Sequence, residues 1–172
     1  MSIRCRIRAV PDYPRAGVVF RDISPLLLDP LGFSLTVKKL ATPYVEHHID
    51  KVAGIESRGF ILGGAVALHL GCGFIPLRKE GKLPLDTYGK NYELEYGNDR
   101  LEMHKDAVVK GDRVLLIDDL IATGGTAGAA AQILTRAGAH ISGASFVVEL
   151  PELGGRKILE TLNHKVISLC VF

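Results

Sequence analysis

The chain lacks several features that would assign it to particular classes of protein. Its three cysteines, Cys5, Cys72 and Cys170, are few, odd in number and far apart, and no Cys-x-x-Cys spacing occurs. This pattern argues against a zinc site and against a disulfide framework. No run reaches the roughly 18 apolar residues of a membrane span, and the N-terminal residues contain no apolar signal core. We therefore expect a cytoplasmic protein without a membrane partner.

The chain also lacks a large excess of one charge sign and two common nucleotide-binding motifs. The net charge is only +2, so no global field directs the chain to nucleic acid. A P-loop would need Gly-Lys followed by Ser or Thr, but Gly81 and Lys82 precede Leu83. A Rossmann Gly-x-Gly-x-x-Gly is absent as well, because Gly71-Cys72-Gly73 leads into Phe74, Ile75 and Pro76. Any affinity for anions must therefore come from a local arrangement.

Apolar segments alternate with helical patterns along the whole chain. The 172 residues, 47% hydrophobic and with 19 glycines, fit one compact α/β domain spanning residues 1–172. Such alternation predicts a central parallel sheet flanked by helices on both faces, with ligands at the carboxyl ends of the strands. The predicted strands are 51–55, 74–77, 114–117, 141–150 and 166–171, and the predicted helices are 30–40, 59–70, 127–137 and 152–162.

The segment from Val114 to Thr126, VLLIDDLIATGGT, is the most informative part of the chain. A buried strand leads into an acidic pair, then into a glycine and threonine loop, and then into a helix. Backbone N–H groups of such a loop converge on an anion, and the helix N-terminus adds about half a positive charge. Glycines let the backbone approach the anion closely. The predicted phosphate-binding residues are Ala122, Thr123, Gly124, Gly125 and Thr126.

Asp118 and Asp119 need a different explanation, because carboxylates repel phosphate. Two unit charges about 5 Å apart cost about 3 kcal/mol at an effective dielectric constant near 20. The pair is tolerable if it accepts hydrogen bonds from ribose hydroxyls, or if Mg²⁺ lies nearby. The motif therefore predicts a ribose 5-phosphate site. An ordinary strand-turn-helix with a capping threonine is the alternative interpretation.

This segment resembles the phosphoribosyl-pyrophosphate signature of the type I phosphoribosyltransferases. Further segments occur in that family's order and narrow the resemblance to its adenine-specific members: 11–30 (PDYPRAGVVFRDISPLLLDP), 54–63 (GIESRGFILG), 74–84 (FIPLRKEGKLP), 92–107 (YELEYGNDRLEMHKDA) and 148–156 (VELPELGGR). Together they span nearly the whole chain. The resemblance implies the family's fold and transfer of a phosphoribosyl group from phosphoribosyl pyrophosphate to adenine, giving AMP and pyrophosphate. It also implies Mg²⁺ carried by the substrate, without direct side-chain ligands, and a homodimer.

The resemblance further implies roles for individual residues. Residues expected to bind pyrophosphate are Ser57, Arg58, Gly59, Arg78, Lys79, Lys82 and Tyr96, and those expected to bind adenine are Val19, Phe20, Arg21 and Leu150. Glu95 is the expected general base for the purine. The alternatives are a solvated charge run for the cations, a core position for Phe20 and a solvated carboxylate for Glu95.

Two segments are expected to complete the site. Residues 1–30 would form an N-terminal hood for base recognition, and residues 79–100 a mobile lid that contains a short β-hairpin. The lid could instead be a plain excursion of the sheet. Two rival functions remain open: a phosphoribosyltransferase for xanthine or hypoxanthine, and a regulator that senses phosphoribosyl pyrophosphate without catalysis. Such regulators carry an added DNA-binding domain, and 172 residues leave no room for one.

Overall fold

The computed structural model describes residues 2–93 and 98–172. In that part of the chain the β-strands form two sheets. Their bounds are β1 (Arg8–Pro11), β2 (Val19–Asp22), β3 (Lys51–Ile55), β4 (Gly73–Lys79), β5 (Thr87–Glu93), β6 (Asn98–His104), β7 (Arg113–Ile121), β8 (His140–Glu149) and β9 (Val166–Val171).

The helices begin and end at residues suited to those positions. Asp29 caps the N-terminus of the second helix by accepting a hydrogen bond from the Leu31 N–H at 3.1 Å, and Pro30 occupies the first turn. Gly71, with φ of +70°, ends the third helix in the left-handed conformation. The α-helices are α1 (Ser24–Leu28), α2 (Pro30–Ala41), α3 (Arg58–Leu70), α4 (Gly125–Arg136) and α5 (Gly155–Thr161).

The main sheet has seven strands in the order β5-β6-β4-β3-β7-β8-β9. Strands β4, β3, β7, β8 and β9 are mutually parallel, whereas the β5–β6 hairpin joins the edge of β4 in antiparallel fashion. The predicted central parallel sheet is confirmed, and the hairpin extends it. Strands β1 and β2 form a separate antiparallel pair near the N-terminus.

Alternating side chains of β7 divide the core between the two faces of the sheet. Val114 and Leu116 pack with α4 and α5, whereas Leu115 and Ile117 pack with α1, α2 and α3. All four side chains are fully buried. Where both faces of a strand are covered, apolar side chains suit successive positions, which explains the continuous run that identified it.

Most predicted elements agree with the structure to within two residues at each end, and two differ by more. Strand β7 does not end before Asp118 but continues to Ile121, because β8 pairs with it as far as Ile121↔Glu149. The helix predicted over 152–162 is interrupted at Gly154, whose φ is +74°. A 3₁₀ turn (Pro151–Leu153) precedes that glycine, and the remaining part of the predicted helix is the short α5. In the described residues, no helix combines the length and the apolar character needed to cross a bilayer.

Candidate functional site

The carboxyl ends of β3, β4 and β7 meet around a cavity of about 420 Å³. A second cavity of about 250 Å³ adjoins it along the loop between β7 and α4. The structure brings the predicted ribose, phosphate and several pyrophosphate residues to these two cavities. They are Ser57, Arg58, Lys79, Asp118, Asp119, Ala122, Thr123, Gly124, Gly125 and Thr126.

The two carboxylates of β7 lie in different electrostatic environments. The Arg58 Nε donates to Asp119 Oδ2 at 2.6 Å, and the Asp119 carboxylate is almost fully buried. Asp118 Oδ1 accepts a hydrogen bond from the Asp119 N–H at 2.9 Å, and within the described residues no other group donates to this carboxylate. Burial, and then the neighbouring Asp119 carboxylate, raise the pKa of Asp118 well above its usual range. Asp119 is therefore ion-paired with Arg58, whereas the ionised form of Asp118 would be stabilised by hydrogen bonds from hydroxyl groups of a ligand.

Close backbone packing places α3 beside this pair. A Cβ on Gly59 would lie 2.9 Å from Asp118 Oδ1 and 3.1 Å from the Ile117 carbonyl oxygen. Only glycine therefore lets the first turn of α3 approach the end of β7 this closely. That turn also carries Arg58, which explains how Arg58 reaches Asp119.

The loop before α4 is held by Gly155, at the start of α5. The Gly155 N–H donates to the Ala122 carbonyl at 2.9 Å, and a Cβ on Gly124 would lie 2.7 Å from the Gly155 backbone. Gly124 itself has φ of +83°, a conformation that glycine adopts readily. The loop backbone is thus fixed by a second segment, and its N–H groups can present one surface to an anion.

Three predicted pyrophosphate residues converge on Glu56, a residue that the sequence did not single out. Glu56 Oε2 accepts from Arg78 Nε at 3.2 Å and from the Lys79 N–H at 3.0 Å. The Lys82 ammonium lies 3.7 Å from Glu56 Oε1. Burial raises the pKa of Glu56, but these donors and cations outweigh it, so the pKa lies below its usual range. Glu56 thus anchors the end of β4 to the end of β3.

The β5–β6 hairpin contributes two further residues that were not predicted. Lys79 Nζ lies 3.0 Å from Asp99 Oδ2, and the Tyr92 hydroxyl donates to the same oxygen at 3.2 Å. Tyr92, Asp99 and Lys79 all line the larger cavity. The Lys79↔Leu101 pairing of β4 with β6 produces this contact, and no spacing in the sequence indicates it.

The predicted adenine residues do not line either cavity. Val19, Phe20 and Arg21 lie together on β2, and the Arg58 guanidinium carbon is 5.6 Å from the centre of the Phe20 ring. Leu150 follows β8, where its N–H donates to the Ile121 carbonyl at 3.0 Å. The structure thus places Phe20 beside the first turn of α3 and Leu150 beside the end of β7. Both lie near site elements, at their periphery.

Two predicted residues and the metal remain to be considered. Glu95 and Tyr96 lie outside the described residues. Within residues 2–93 and 98–172, no three His, Cys, Asp or Glu side chains are grouped so as to hold a metal ion. Carboxylate oxygens are ligands that Mg²⁺ accepts, so the chemistry of Asp118 and Asp119 is compatible with this ion.

Comparisons with known proteins show the family to which the chain belongs. Residues 27–160 match the family model of the phosphoribosyl transferase domain. The chain is 58% identical over 172 residues to an adenine phosphoribosyltransferase of Parvibaculum lavamentivorans, covering all of this chain and 98% of the relative. It is also similar to the crystal structure of the adenine phosphoribosyltransferase of Rhodothermus marinus, with a TM-score of 0.93, 49% identity and coverage of 99% and 96% of the two chains. The Saccharomyces cerevisiae enzyme, solved with an imino-altritol bisphosphate and adenine, has a TM-score of 0.92 and 38% identity, with coverage of 98% and 96%.

Proposed function

Because the chain belongs to the adenine phosphoribosyltransferase family, we propose that it transfers the 5-phosphoribosyl group of phosphoribosyl pyrophosphate to adenine. The products are AMP and pyrophosphate. The observation that carries this proposal, beyond family membership, is the position of the Asp118–Asp119 pair between the phosphate-type loop and Arg58. A sugar with an anion at each end fits that order of groups.

In this proposal the ribose lies over the carboxylate pair. Its hydroxyls donate to Asp118 and Asp119; for Asp118 they add to the Asp119 N–H, the one hydrogen-bond donor found for it within residues 2–93 and 98–172. The 5-phosphate lies in the smaller cavity, where the N–H groups of residues 122–126 and the N-terminus of α4 bind it. The fixed backbone around Gly155 limits reorganisation when the phosphate arrives.

The pyrophosphate lies towards the ends of β3 and β4. Ser57, Arg58 and Gly59 provide the first turn of α3, and Lys79 lines the same cavity. Arg78 and Lys82, held at Glu56, provide two further positive charges nearby. Tyr96 stays a prediction for this subsite. Cations near the leaving group stabilise the charge that develops as its bond to C1 of the ribose breaks.

Adenine stacks on Phe20, with Leu150 on the other side and the backbone of Val19 and Arg21 at its edge. The exposure of β2 supports this role, since Val19 is 44% exposed and can still meet a ligand. A backbone carbonyl and an N–H match the amino donor and ring acceptor of adenine. A 6-oxopurine mismatches both, and buried mismatches of this kind can cost about 10⁴-fold or more.

Catalysis in this proposal rests on positioning and charge stabilisation rather than on a covalent nucleophile. The transition state is oxocarbenium-like, and Glu95 accepts the proton that the purine loses. When bound, Mg²⁺ would neutralise part of the pyrophosphate charge; the substrate phosphates would carry it, with Asp118 and Asp119 beside it. Residues 1–30 act as the hood, and residues 79–100 act as a lid that excludes water.

We also propose a homodimer and a cytoplasmic location. Leu28 and Leu31, where α1 meets α2, are 82% and 64% exposed, which supports a contact with a second copy of the chain.

A comparison of purine bases tests the substrate assignment. Purified protein with phosphoribosyl pyrophosphate and Mg²⁺ is supplied with adenine, hypoxanthine or xanthine, and pyrophosphate release is measured. We expect turnover with adenine to exceed that with either 6-oxopurine by several orders of magnitude. Faster turnover of a 6-oxopurine would reassign the substrate. Binding of phosphoribosyl pyrophosphate without any pyrophosphate release would favour the sensor.

A further inference from the structure

The larger cavity carries more acidic than basic side chains, although the proposed substrate is a polyanion. Its charged lining consists of Glu56, Asp99, Asp118, Asp119, Arg58 and Lys79. In the described residues, each predicted pyrophosphate cation is already paired: Arg58 with Asp119, Lys79 with Asp99, and Arg78 and Lys82 with Glu56. An incoming pyrophosphate must therefore compete with carboxylates of the protein for these cations.

Three of these carboxylates already have a proposed or structural role. Asp118 and Asp119 are proposed to bind the ribose, and Glu56 ties β3 to the N–H of Lys79 on β4. Asp99 differs, because it comes from the β5–β6 hairpin at the edge of the sheet. Its carboxylate enters the cavity without any assigned role towards the substrate.

The contacts of Asp99 hold its carboxylate in place more firmly than they hold Lys79. Asp99 Oδ1 accepts from the Arg100 N–H at 2.8 Å, and Oδ2 accepts from the Tyr92 hydroxyl at 3.2 Å. The Lys79 side chain is 53% exposed, compared with 20% for Asp99. The contact raises the pKa of Lys79 and lowers that of Asp99, as expected for an ion pair. Lys79 is thus the member that can change partners.

We propose that Asp99 limits the affinity of this subsite for anions: it pairs with Lys79 in the absence of substrate, and pyrophosphate must draw Lys79 away from it. It acts as an internal competitor, which weakens the binding of every anion at this subsite. Pyrophosphate overcomes this competition because its several negative charges attract Lys79 more strongly than the single Asp99 carboxylate does. The inference rests on the proposed function, in which this cavity binds phosphoribosyl pyrophosphate.

Asp99→Asn tests the proposal by removing the charge while retaining the shape of the side chain. The dissociation constant for inorganic pyrophosphate is measured by titration calorimetry, and KM for phosphoribosyl pyrophosphate by steady-state kinetics. Partly exposed ion pairs change equilibria by at most about fivefold, so we expect pyrophosphate to bind up to about five times more tightly. Inorganic phosphate should gain no more than pyrophosphate, because the cost of breaking the same ion pair is the most that either anion can recover.

Asp86→Asn is the matched control. Asp86 pairs with Lys105 at 3.3 Å, is 85% exposed, and lies just before β5, outside the lining of the larger cavity. This variant removes the same charge from the same region, so it measures the general electrostatic effect. We expect less than a twofold change in pyrophosphate affinity.

A double-mutant cycle identifies Lys79 as the mediator. Lys79→Ala should weaken pyrophosphate binding, and Asp99→Asn added to it should then change nothing. Unchanged or weaker binding by a folded Asp99→Asn protein would overturn the proposal, as would an equal gain in the Lys79→Ala background. If Asp99→Asn fails to fold, Asp99→Ser is used with the same expected and contrary outcomes. Failure of the wild-type protein to bind pyrophosphate and to form AMP would instead reject the proposed function.

Discussion

Replacement of Gly155 by alanine should disable the proposed phosphate-binding loop, residues 122–126, from a position outside the two cavities. A Cβ at residue 155 would lie 2.3 Å from the Ala122 carbonyl oxygen and 2.7 Å from the Gly124 nitrogen. Both atoms belong to the backbone, so no flexible side chain can move aside. The Gly155 conformation is an ordinary helical one, so the effect of the added methyl group comes from this contact and not from φ.

The size of the effect follows from these distances. Ordinary contacts of a Cβ begin near 3.4 Å, so the loop or α5 must move by about 1 Å. The 2.9 Å hydrogen bond from the Gly155 N–H to the Ala122 carbonyl would lengthen or break. A displacement of about 1 Å in a binding loop can cost about 100-fold in rate. Overpacking would also lower the free energy of unfolding by about 1–3 kcal/mol.

The assay is kcat/KM for phosphoribosyl pyrophosphate at saturating adenine, with circular dichroism to verify the fold. We expect a loss of about 100-fold, equivalent to about 2.7 kcal/mol of transition-state binding. Gly64→Ala is the matched control, because it adds the same methyl group within α3, where nothing lies within 4 Å. It should leave kcat/KM unchanged and stabilise the helix by up to about 1 kcal/mol. A folded Gly155→Ala protein with kcat/KM within threefold of wild type would refute the reasoning.

Two further predictions concern carboxylates. Asp118→Asn combined with Asp119→Asn should lower kcat/KM by about 10³-fold or more. The circular dichroism spectrum should stay unchanged, since Asp118 already resists ionisation in the folded protein. Substantial remaining activity would contradict the ribose assignment. Hydrogen bonds from Ser24 and then Arg8 lower the pKa of Asp22 from 3.8 to about 2. Because these contacts are exposed to solvent, the resulting stability is at most about 1 kcal/mol; it is fully present above pH 3.8 and is lost as the pH falls through about 2. Urea unfolding at pH 6 and pH 2.5 should show this loss in the wild type and less of it in Asp22→Asn; equal losses would contradict the assignment.

Local chemistry made several elements predictable from the sequence. The Asp29–Pro30 cap and Gly71 gave α2 its start and α3 its end, because both signals act within one helical turn. The apolar run from Val114 to Ile117 identified the central strand, since at these positions helices cover both faces of the sheet. The order of the motifs, together with the rule that ligands bind at strand carboxyl ends, also indicated where the cavity lies.

Long-range pairing decided what the sequence could not. Strand β7 continues through Asp118 to Ile121 because β8 lies beside it, and residues within 114–126 carry no information about that neighbour. Gly154, with φ of +74°, divides the helix predicted over 152–162. The turn it makes is accompanied by the hydrogen bond from the Gly155 N–H to the Ala122 carbonyl, a contact between segments far apart in the sequence.

The charged residues of the site also divide into those that the local sequence indicated and those that only the tertiary structure brought together. Asp118, Asp119 and the loop glycines are close together in the chain, so a shared site could be predicted from the residues alone. Asp99 is twenty positions beyond Lys79, and only the register of β6 on β4 places their charges 3.0 Å apart. Backbone pairing across a sheet sets such distances, and a charge pattern along one chain does not encode which strand edges will meet.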